Sequence, residues 1–265
     1  MTYELLASYI TGWLSKYLED NKQRGYVIGV SGGIDSAVVS TLCARTGAPV
    51  LAISMPIHQK QEQVDLADAH LNWLRIHFSN VQTMTINLTP VFDVLSDTLP
   101  EKTPLSLANT RSRLRMVTLY NMAGSRGYLV AGTGNLCEDM ILGFFSKFGD
   151  GGVDLSPIGD LLKSDVWGLG EYLGVDPRII KAAPVDGLWE DNRTDESQIG
   201  YPYKKIEEVI TRENFDDFEW REINRVCMDF WCKNSHKMAM PPICKIPKEI
   251  KDMYGMKKIR EIFKS

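Results

Sequence analysis

The sequence predicts an α/β fold, a doubly wound three-layer α/β/α arrangement around a mostly parallel sheet. Short, almost purely apolar runs, as in strands buried on both faces, alternate with longer segments of helical periodicity. This alternation favours parallel strands joined by right-handed helical crossovers, with helices on both faces of the sheet. The chain of 265 residues shows no Pro/Ser-rich linker and no internal repeat, so we expect a single domain over residues 1–265.

Each element follows from the spacing of apolar residues. An amphipathic pattern over residues 5–18 predicts the first helix. Strands are predicted at residues 26–30, 50–54, 81–88 and 128–131. Helices are predicted at residues 37–45, 61–77 and 105–123, the first ended by Gly47 and the last by Gly124. Residues 186–203 are polar, aromatic and punctuated by Gly and Pro, which indicates a long loop that is functional or mobile.

Composition excludes several classes of partner. Thirty basic and 34 acidic side chains give a formal net charge of -4, so we expect no broad basic surface for nucleic acid or an anionic membrane. The longest apolar runs are far shorter than the ~20 residues of a membrane helix, and the N-terminus does not resemble a signal peptide. Five cysteines are few and odd in number, which favours reduced thiols and a cytoplasmic protein.

A Gly-rich loop, Ser31-Gly-Gly-Ile-Asp-Ser36, follows the first predicted strand. Its glycines allow a close backbone approach to a ligand, and the N–H groups at the next helix start form an anion site. The Walker A pattern is absent, because no Gly-Lys-Ser/Thr follows. Asp35 would repel a phosphate unless a divalent cation lies between them, and Mg2+ prefers carboxylate and phosphate oxygens. The loop predicts a pyrophosphate–Mg2+ site, and a plain turn with a helix cap is the alternative.

Ligands of such sheets bind at the carboxyl ends of strands, where the strand order reverses. This rule selects the loops after Val30, Ser54 and Ala131. Glu138, after the fourth strand, could complete a metal site with Asp35, although the helix dipole alone also favours a glutamate in a first helical turn. The next loop, residues 143–157, holds three phenylalanines, which indicates a pocket wall or a loop packed onto the domain.

The hexapeptide resembles the pyrophosphate loop of the ATP pyrophosphatases, which split ATP between the α and β phosphates and adenylate their substrates. Within that superfamily, the chain resembles the ammonia-dependent NAD synthetases through two consecutive runs, Gly132-Thr-Gly-Asn-Leu-Cys-Glu138 and Gly143-Phe-Phe-Ser-Lys-Phe-Gly-Asp-Gly-Gly-Val-Asp-Leu-Ser-Pro157. Further similar segments lie at residues 55–56, 65–69, 109–116, 188–196 and 235–237. The similarity implies an adenine nucleotide alpha hydrolase-like fold.

The resemblance also implies a reaction and a set of site residues. Ammonia would amidate nicotinic acid adenine dinucleotide (deamido-NAD) through an acyl-adenylate, giving NAD+, AMP and pyrophosphate in the last step of NAD biosynthesis. Asp35 and Glu138 would bind Mg2+, with Asp35 and Lys163 serving catalysis. The implied ATP contacts are Gly29, Val30, Ser31, Gly32, Gly33, Ile34, Asp35, Ser36, Thr133, Lys163 and Val185. The implied deamido-NAD contacts are Arg113, Lys147, Asp154, His236 and Lys237.

Several of these residues have simpler interpretations. Arg111 and Arg115, four residues apart, could form a surface stripe while Arg113 points elsewhere. Lys147 and Asp154 could pair with each other, and Lys163 could be a solvated lysine at a helix start. A cluster near the C-terminus also makes a zinc site conceivable, but it lacks the CxxC pairs of structural zinc sites. Its members are Cys227, Cys232, His236 and Cys244.

The chain departs from the family pattern in three places. Val185 stands where the family often has Thr, so a hydroxyl contact to ATP is lost while backbone and packing contacts remain available. Gly134-Asn135 stands where many members have Asp-His. Residues 188–196 are richer in Trp and Arg than the commonest version.

The resemblance implies a homodimer with the dinucleotide site near the subunit interface, where Trp13, Tyr17 and Trp73 could lie if they are not core residues. The N-terminal segment leaves no room for a glutamine-hydrolysing domain, so we expect ammonia to arrive free or from a separate source. Two alternatives remain. A tRNA-modifying or other amide-forming superfamily member fits the loop, but the isoelectric point of about 5.7 disfavours tRNA. A non-catalytic nucleotide sensor is disfavoured by Glu138 and Lys163.

Overall fold

The computed structural model describes residues 2–185, 187–189, 193–212 and 217–253. Within these ranges the centre is a parallel sheet of four strands in the order β3-β2-β1-β4. The strands are Tyr26–Gly29 (β1), Val50–Ser54 (β2), Val81–Thr85 (β3) and Leu129–Val130 (β4). The chain passes from β1 through β2 to β3 and then returns to the far side of β1. The strand order therefore reverses between β1 and β4.

Helices precede, connect and follow the strands. In chain order they are α1 (Tyr3–Asp20), α2 (Ile34–Arg45), α3 (Gln61–His77), α4 (Thr89–Thr98), α5 (Pro104–Arg126), a π-helix (Leu136–Leu142), α6 (Lys163–Leu173), α7 (Pro177–Lys181), α8 (Asp195–Ile199), α9 (Tyr203–Thr211), α10 (Phe218–Met238) and α11 (Lys248–Met253). No helix within the described ranges combines the length and apolar character that crossing a membrane requires.

Alternation along β1 assigns the two faces of the sheet. Tyr26 and Ile28 pack on one face with apolar side chains of α1, α2, α3 and α6, whereas Val27 packs on the other face with α4 and α5. The predicted three-layer α/β/α arrangement is thus confirmed. A third apolar cluster joins the π-helix to α9 and α10, and Trp167 of α6 packs against both this cluster and the first face.

The structure confirms the bounds predicted for β2 and α3 and corrects others. Helix α2 begins at Ile34 rather than at residue 37, because Gly33 is extended and serves as the N-cap. Gly124 lies inside α5, which ends at Gly127 in the left-handed region (φ 67°). Strand β3 ends at Thr85, since Leu88 already caps α4, a helix that the sequence analysis missed.

The prediction of a loop over residues 186–203 is wrong in part, because this segment contains α8. Thr194 caps this helix, because its Oγ1 accepts a hydrogen bond from the Ser197 amide at 3.1 Å. Residues 186 and 190–192 of the same segment lie outside the described ranges.

Candidate active site

The Gly-rich loop connects β1 to α2 at the carboxyl edge of the sheet. Gly32 has φ 86°, and a Cβ on it would lie 2.7 Å from the Gln63 carbonyl oxygen of α3. Both the conformation and the close approach therefore require glycine. The Ser36 hydroxyl donates to the Gly33 carbonyl at 2.9 Å and lies 3.1 Å from the Ser31 hydroxyl, which ties the loop to the first turn of α2.

A cavity of about 550 Å3 opens at this edge, a size typical of small-molecule sites. The loops after β1, β2 and β4 all contribute to its wall, as the switch-point rule predicts. The lining includes all residues implied as ATP contacts: Gly29, Val30, Ser31, Gly32, Gly33, Ile34, Asp35, Ser36, Thr133, Lys163 and Val185.

Lys163 connects the two carboxylates that the sequence analysis assigned to a metal. Its Nζ lies 2.6 Å from Asp35 Oδ2 and 2.9 Å from Glu138 Oε1. The interpretation of Lys163 as a solvated lysine is wrong, because only 1% of its side chain is exposed. The three residues come from separate elements, since Asp35 lies in the first turn of α2, Glu138 in the π-helix and Lys163 at the start of α6.

Asn135, one of the departures from the family pattern, orients both carboxylates. Its Nδ2 donates to Asp35 Oδ1 at 3.1 Å, and its Oδ1 accepts the Glu138 backbone amide at 3.1 Å. The same side chain is the N-cap of the π-helix. An amide can make both contacts because it carries a donor and an acceptor.

Tyr203, at the start of α9, is a site residue that the sequence analysis missed. Its hydroxyl donates to Glu138 Oε1 at 2.5 Å, and its ring lies 5.0 Å from Lys163 Nζ. Burial, and then the neighbouring Glu138 and Asp195 carboxylates, raise the pKa of the Tyr203 hydroxyl, so it remains a donor at neutral pH. Tyr203 lies 65 residues from Glu138 along the chain. No sequence motif connects the two residues.

The electrostatics of the cluster favour a further cation. Burial raises the pKa of Asp35, although Lys163 opposes this shift. Burial alone would raise the pKa of Glu138. The positive charge of Lys163 and the hydrogen bonds from Lys163 and Tyr203 outweigh burial, so the pKa of Glu138 is lowered. When both carboxylates are ionised, two negative charges share one ammonium, and the cluster is left with a net negative charge.

The donor set fits Mg2+. Asp35 and Glu138 each place an oxygen within 3 Å of one nitrogen atom, so a single cation can reach both. Across the described ranges, no group of three or more His, Cys, Asp or Glu side chains could hold a metal. That number is not needed, because Mg2+ commonly takes one or two carboxylates together with substrate phosphates.

The zinc interpretation of the C-terminal cysteines gains no support. Within the described part of the chain, Cys227, Cys232, His236 and Cys244 do not form a group that could hold a metal. Cys227 is buried in the third apolar cluster, whereas Cys232 and Cys244 are exposed.

Four of the five residues implied as deamido-NAD contacts lie close together around residues 143–149. Lys147 Nζ donates to the His236 carbonyl at 3.0 Å, and Arg113 Nε donates to the Lys147 carbonyl at 3.1 Å. Lys237 Nζ donates to the Phe145 carbonyl at 2.7 Å and lies over the Phe145 ring. The residues 143–149 thus join α5 to the end of α10.

The fifth residue, Asp154, has structural partners. Its carboxylate accepts the Tyr120 hydroxyl at 3.0 Å and the Val130 amide at 2.7 Å. The alternative in which Lys147 pairs with Asp154 is therefore wrong for the described structure, since Lys147 Nζ bonds the His236 carbonyl.

The surface-stripe interpretation of Arg111 and Arg115 is also wrong. Arg111 is 6% exposed, lies 4.4 Å over the Phe92 ring and donates to the Leu188 carbonyl at 3.1 Å. Arg115 Nε donates to the Met55 carbonyl at 3.0 Å, and Arg115 lines the cavity. Helical spacing could not reveal this, because it does not show what covers a helix face.

Gly134, the other departure in that segment, is explained by Asp139. A Cβ on Gly134 would lie 1.7 Å from Asp139 Oδ2, so the carboxylate fills the space of a side chain at position 134. Asp139 lines the cavity, and burial together with Asp150 and Glu138 raises its pKa well above the usual range. In this chain, a carboxylate from the π-helix thus fills the space that a side chain at residue 134 would occupy.

A doubly wound sheet with a Ser-Gly-Gly-x-Asp-Ser loop at its switch point defines a class of nucleotide-binding enzymes, the ATP pyrophosphatases, and the fold and the cavity agree with that class. Within it, the chain belongs to the NAD synthase family, whose model matches residues 6–241. Members of this family are ligases, and the chain is accordingly a ligase.

Relatives and solved structures agree with this assignment. The NH(3)-dependent NAD(+) synthetase of Carboxydothermus hydrogenoformans is 40% identical over 79% of this chain and 86% of its own. That of Mannheimia succiniciproducens is 36% identical over 92% and 96%. A structure of NMN synthetase from Francisella tularensis superposes with a TM-score of 0.83 at 30% identity, covering 94% of this chain and 99% of the other. An NH3-dependent NAD synthetase from Campylobacter jejuni gives 0.76 at 26% identity, covering 92% and 100%.

Proposed function

We propose that this chain amidates deamido-NAD with ammonia at the expense of ATP. The observation that supports this most directly is the meeting of Asp35, Glu138 and Lys163 beside the Gly-rich loop, in a chain whose relatives are NH(3)-dependent NAD(+) synthetases. A substrate carboxylate oxygen attacks the α-phosphorus of ATP, and pyrophosphate leaves. Ammonia then attacks the acyl carbon of the adenylate, AMP leaves, and the nitrogen loses a proton to give the amide.

The residues contribute by positioning and by charge. Asp35 and Glu138 would hold Mg2+, which when bound neutralises phosphate charge. Lys163 lies where its ammonium can stabilise negative charge on the phosphates, and the backbone N–H groups of the loop at residues 31–36 can bind them. Because ATP activates the substrate carboxylate, the reaction requires no protein nucleophile. Val185 contributes to the cavity wall without the hydroxyl of the family threonine.

A second candidate substrate is the corresponding mononucleotide, nicotinic acid mononucleotide. The structural match to an NMN synthetase favours it, since that protein covers almost the whole chain. Both substrates carry the same reacting carboxylate. They differ because the dinucleotide has an adenylate half that the mononucleotide lacks. The dinucleotide remains our first choice because the NAD(+) synthetase relatives reach 40% identity.

A product assay tests both candidates. Pure protein with ATP, Mg2+ and ammonium is given deamido-NAD or the mononucleotide, and amide, AMP and pyrophosphate are measured. We expect the three products in equal amounts with deamido-NAD and no amide when glutamine replaces ammonium. Asp35→Asn should reduce the rate by orders of magnitude, and Asp20→Asn, in an exposed pair with Lys16, is the matched control. Failure to amidate either substrate would refute the proposal.

We also propose a cytoplasmic homodimer that takes ammonia free or from a separate source. Of the three aromatic residues suggested for an interface, Trp73 stacks with neighbouring rings and Tyr17 donates to the Asp154 carbonyl, which gives both a structural role. Exposed apolar side chains on α4 and α5, including Val94 and Val117, offer a better surface. Sedimentation should show a dimer, and Val117→Glu should weaken it, while a monomeric wild type would contradict the proposal.

A further inference from the structure

We propose that Tyr203 is a positioning residue for Glu138 and that it links Pro184 and Asp195 to the cation site. The inference rests on the proposed function, since it takes Glu138 as a ligand of the cation. It concerns a residue that neither the Gly-rich loop nor the other motifs include.

The contact between Tyr203 and Glu138 is short and enclosed. The tyrosine is 1% exposed, and its hydroxyl donates to Glu138 Oε1 at 2.5 Å. Lys163 Nζ reaches the same oxygen at 2.9 Å. These two donors hold Oε1, and with it the carboxylate, in one orientation at the wall of the cavity that Glu138 lines.

The tyrosine ring is itself held in place. It packs edge-on against Trp167, with ring centroids 6.1 Å apart and an interplanar angle of 89°. Its backbone amide donates to Glu196 Oε1 at 2.8 Å, which fixes the start of α9 against α8. Rotation of the ring away from Glu138 would therefore disturb its packing against Trp167 in the apolar cluster.

The same segment reaches the nucleotide end of the cavity. The Asp195 amide donates to the Pro184 carbonyl at 3.1 Å, and Pro184 and Val185 line the cavity. Asp195 Oδ2 lies 3.4 Å from the Tyr203 hydroxyl. Pro184 is thus connected to Glu138 through Asp195 and Tyr203, so the position of Pro184 at the cavity wall and the orientation of the cation ligand depend on each other.

A purely structural role for Tyr203 is the competing explanation, and Tyr26 provides the matched control. Tyr26 is also fully buried and donates its hydroxyl to a single acceptor, the Leu14 carbonyl, at 2.6 Å. It lies at the amino end of β1, whereas the cavity lies at the carboxyl end. Tyr203→Phe and Tyr26→Phe each remove one buried hydroxyl and its hydrogen bond.

The experiment measures Mn2+ binding by electron paramagnetic resonance, without substrates and then with ATP, for the wild type and both variants. Losing a hydrogen-bond partner of a metal ligand commonly costs about tenfold or more in metal affinity, so we expect about that loss in Tyr203→Phe. The Mg2+ concentration that half-activates NAD+ formation should rise by a similar factor, while the KM for deamido-NAD stays near the wild-type value. Tyr26→Phe should match the wild type in both.

Equal Mn2+ affinity in the two variants would overturn the proposal, whatever their stabilities to urea. Wild-type protein that binds no Mn2+, with or without ATP, would overturn it as well, because Glu138 would then not be a cation ligand. The binding measurement needs no turnover, so a wild type that binds Mn2+ but forms no NAD+ would contradict the proposed function and leave the role of Tyr203 supported by the variants.

Discussion

Replacing Lys163 with Met should destabilise the fold and abolish catalysis, because both depend on the buried ammonium between the two carboxylates. The Lys163 side chain is 1% exposed, and its ammonium lies between carboxylates whose side chains are 18% and 17% exposed. Removing it leaves two poorly solvated carboxylates close together without their counter-ion. Breaking a buried ion pair on one side costs about 3–5 kcal/mol, so we expect a loss of that size in the free energy of unfolding.

Urea unfolding with and without Mg2+ checks this value. Mg2+ should stabilise Lys163→Met more than the wild type, because in the variant the cation need not compete with an ammonium for Asp35 and Glu138. Lys16→Met is the control, since it removes a lysine from an exposed pair and should leave the stability almost unchanged. A Lys163→Met variant as stable as the wild type in Mg2+-free buffer would refute the reasoning.

A triple variant separates stability from function. Lys163→Met combined with Asp35→Leu and Glu138→Leu replaces all three charges with apolar side chains of similar size. Such replacements are often neutral or stabilising, so the triple variant should recover most of the stability that the single variant loses. It should still form no NAD+. If it is less stable than Lys163→Met, the destabilisation does not come from the unpaired carboxylates.

Three other predictions concern groups outside this cluster. Burial lowers the pKa of His70 to about 4 from 6.5, so the unfolded chain takes up the proton first. The titration of His70 then leaves the free energy of unfolding unchanged above pH 6.5 and lowers it by at most about 3 kcal/mol as the pH drops to 4. Urea titrations at several pH values should show a shallower decline in His70→Gln. Gly134→Asp alone should slow NAD+ formation by crowding Asp139, and adding Asp139→Ala should restore part of the rate, whereas additive effects would contradict the shared space. Arg111→Gln should speed proteolysis near Leu188, because it removes a guanidinium that holds this segment, and unchanged cleavage would argue against that contact.

The part of the site that lies close to strand ends could be predicted from the sequence. Asp35 and Glu138 each follow a buried strand, and parallel strands bring their carboxyl ends to one edge. Their meeting at Lys163 agrees with that prediction. Family resemblance was needed to select Lys163 itself, since a lysine at a helix start is usually solvated.

Contacts across the tertiary structure could not be predicted. The four-residue spacing of Arg111 and Arg115 indicates a surface stripe, but Arg111 lies over Phe92 of α4, a helix that the sequence did not predict. Gly124 fits the pattern of a helix end, but glycine is also tolerated inside helices, and the positive φ of Gly127 identifies the actual end of α5. Tyr203 reaches Glu138 from a segment whose helices have no motif.

The burial of Lys163 is best explained by function. A fold gains little stability from a buried ion cluster compared with apolar residues of the same size, so such a cluster at a cavity wall requires another reason. If the Gly-rich loop binds phosphate as proposed, Asp35 repels that phosphate unless positive charge compensates it, and Lys163 supplies one such charge at 2.6 Å. Two carboxylates and one ammonium still leave a net negative charge, which a divalent cation converts to a net positive one. Under the proposed function, the cluster complements the charge of a polyphosphate only when the cation is present, so we expect ATP and Mg2+ to bind together.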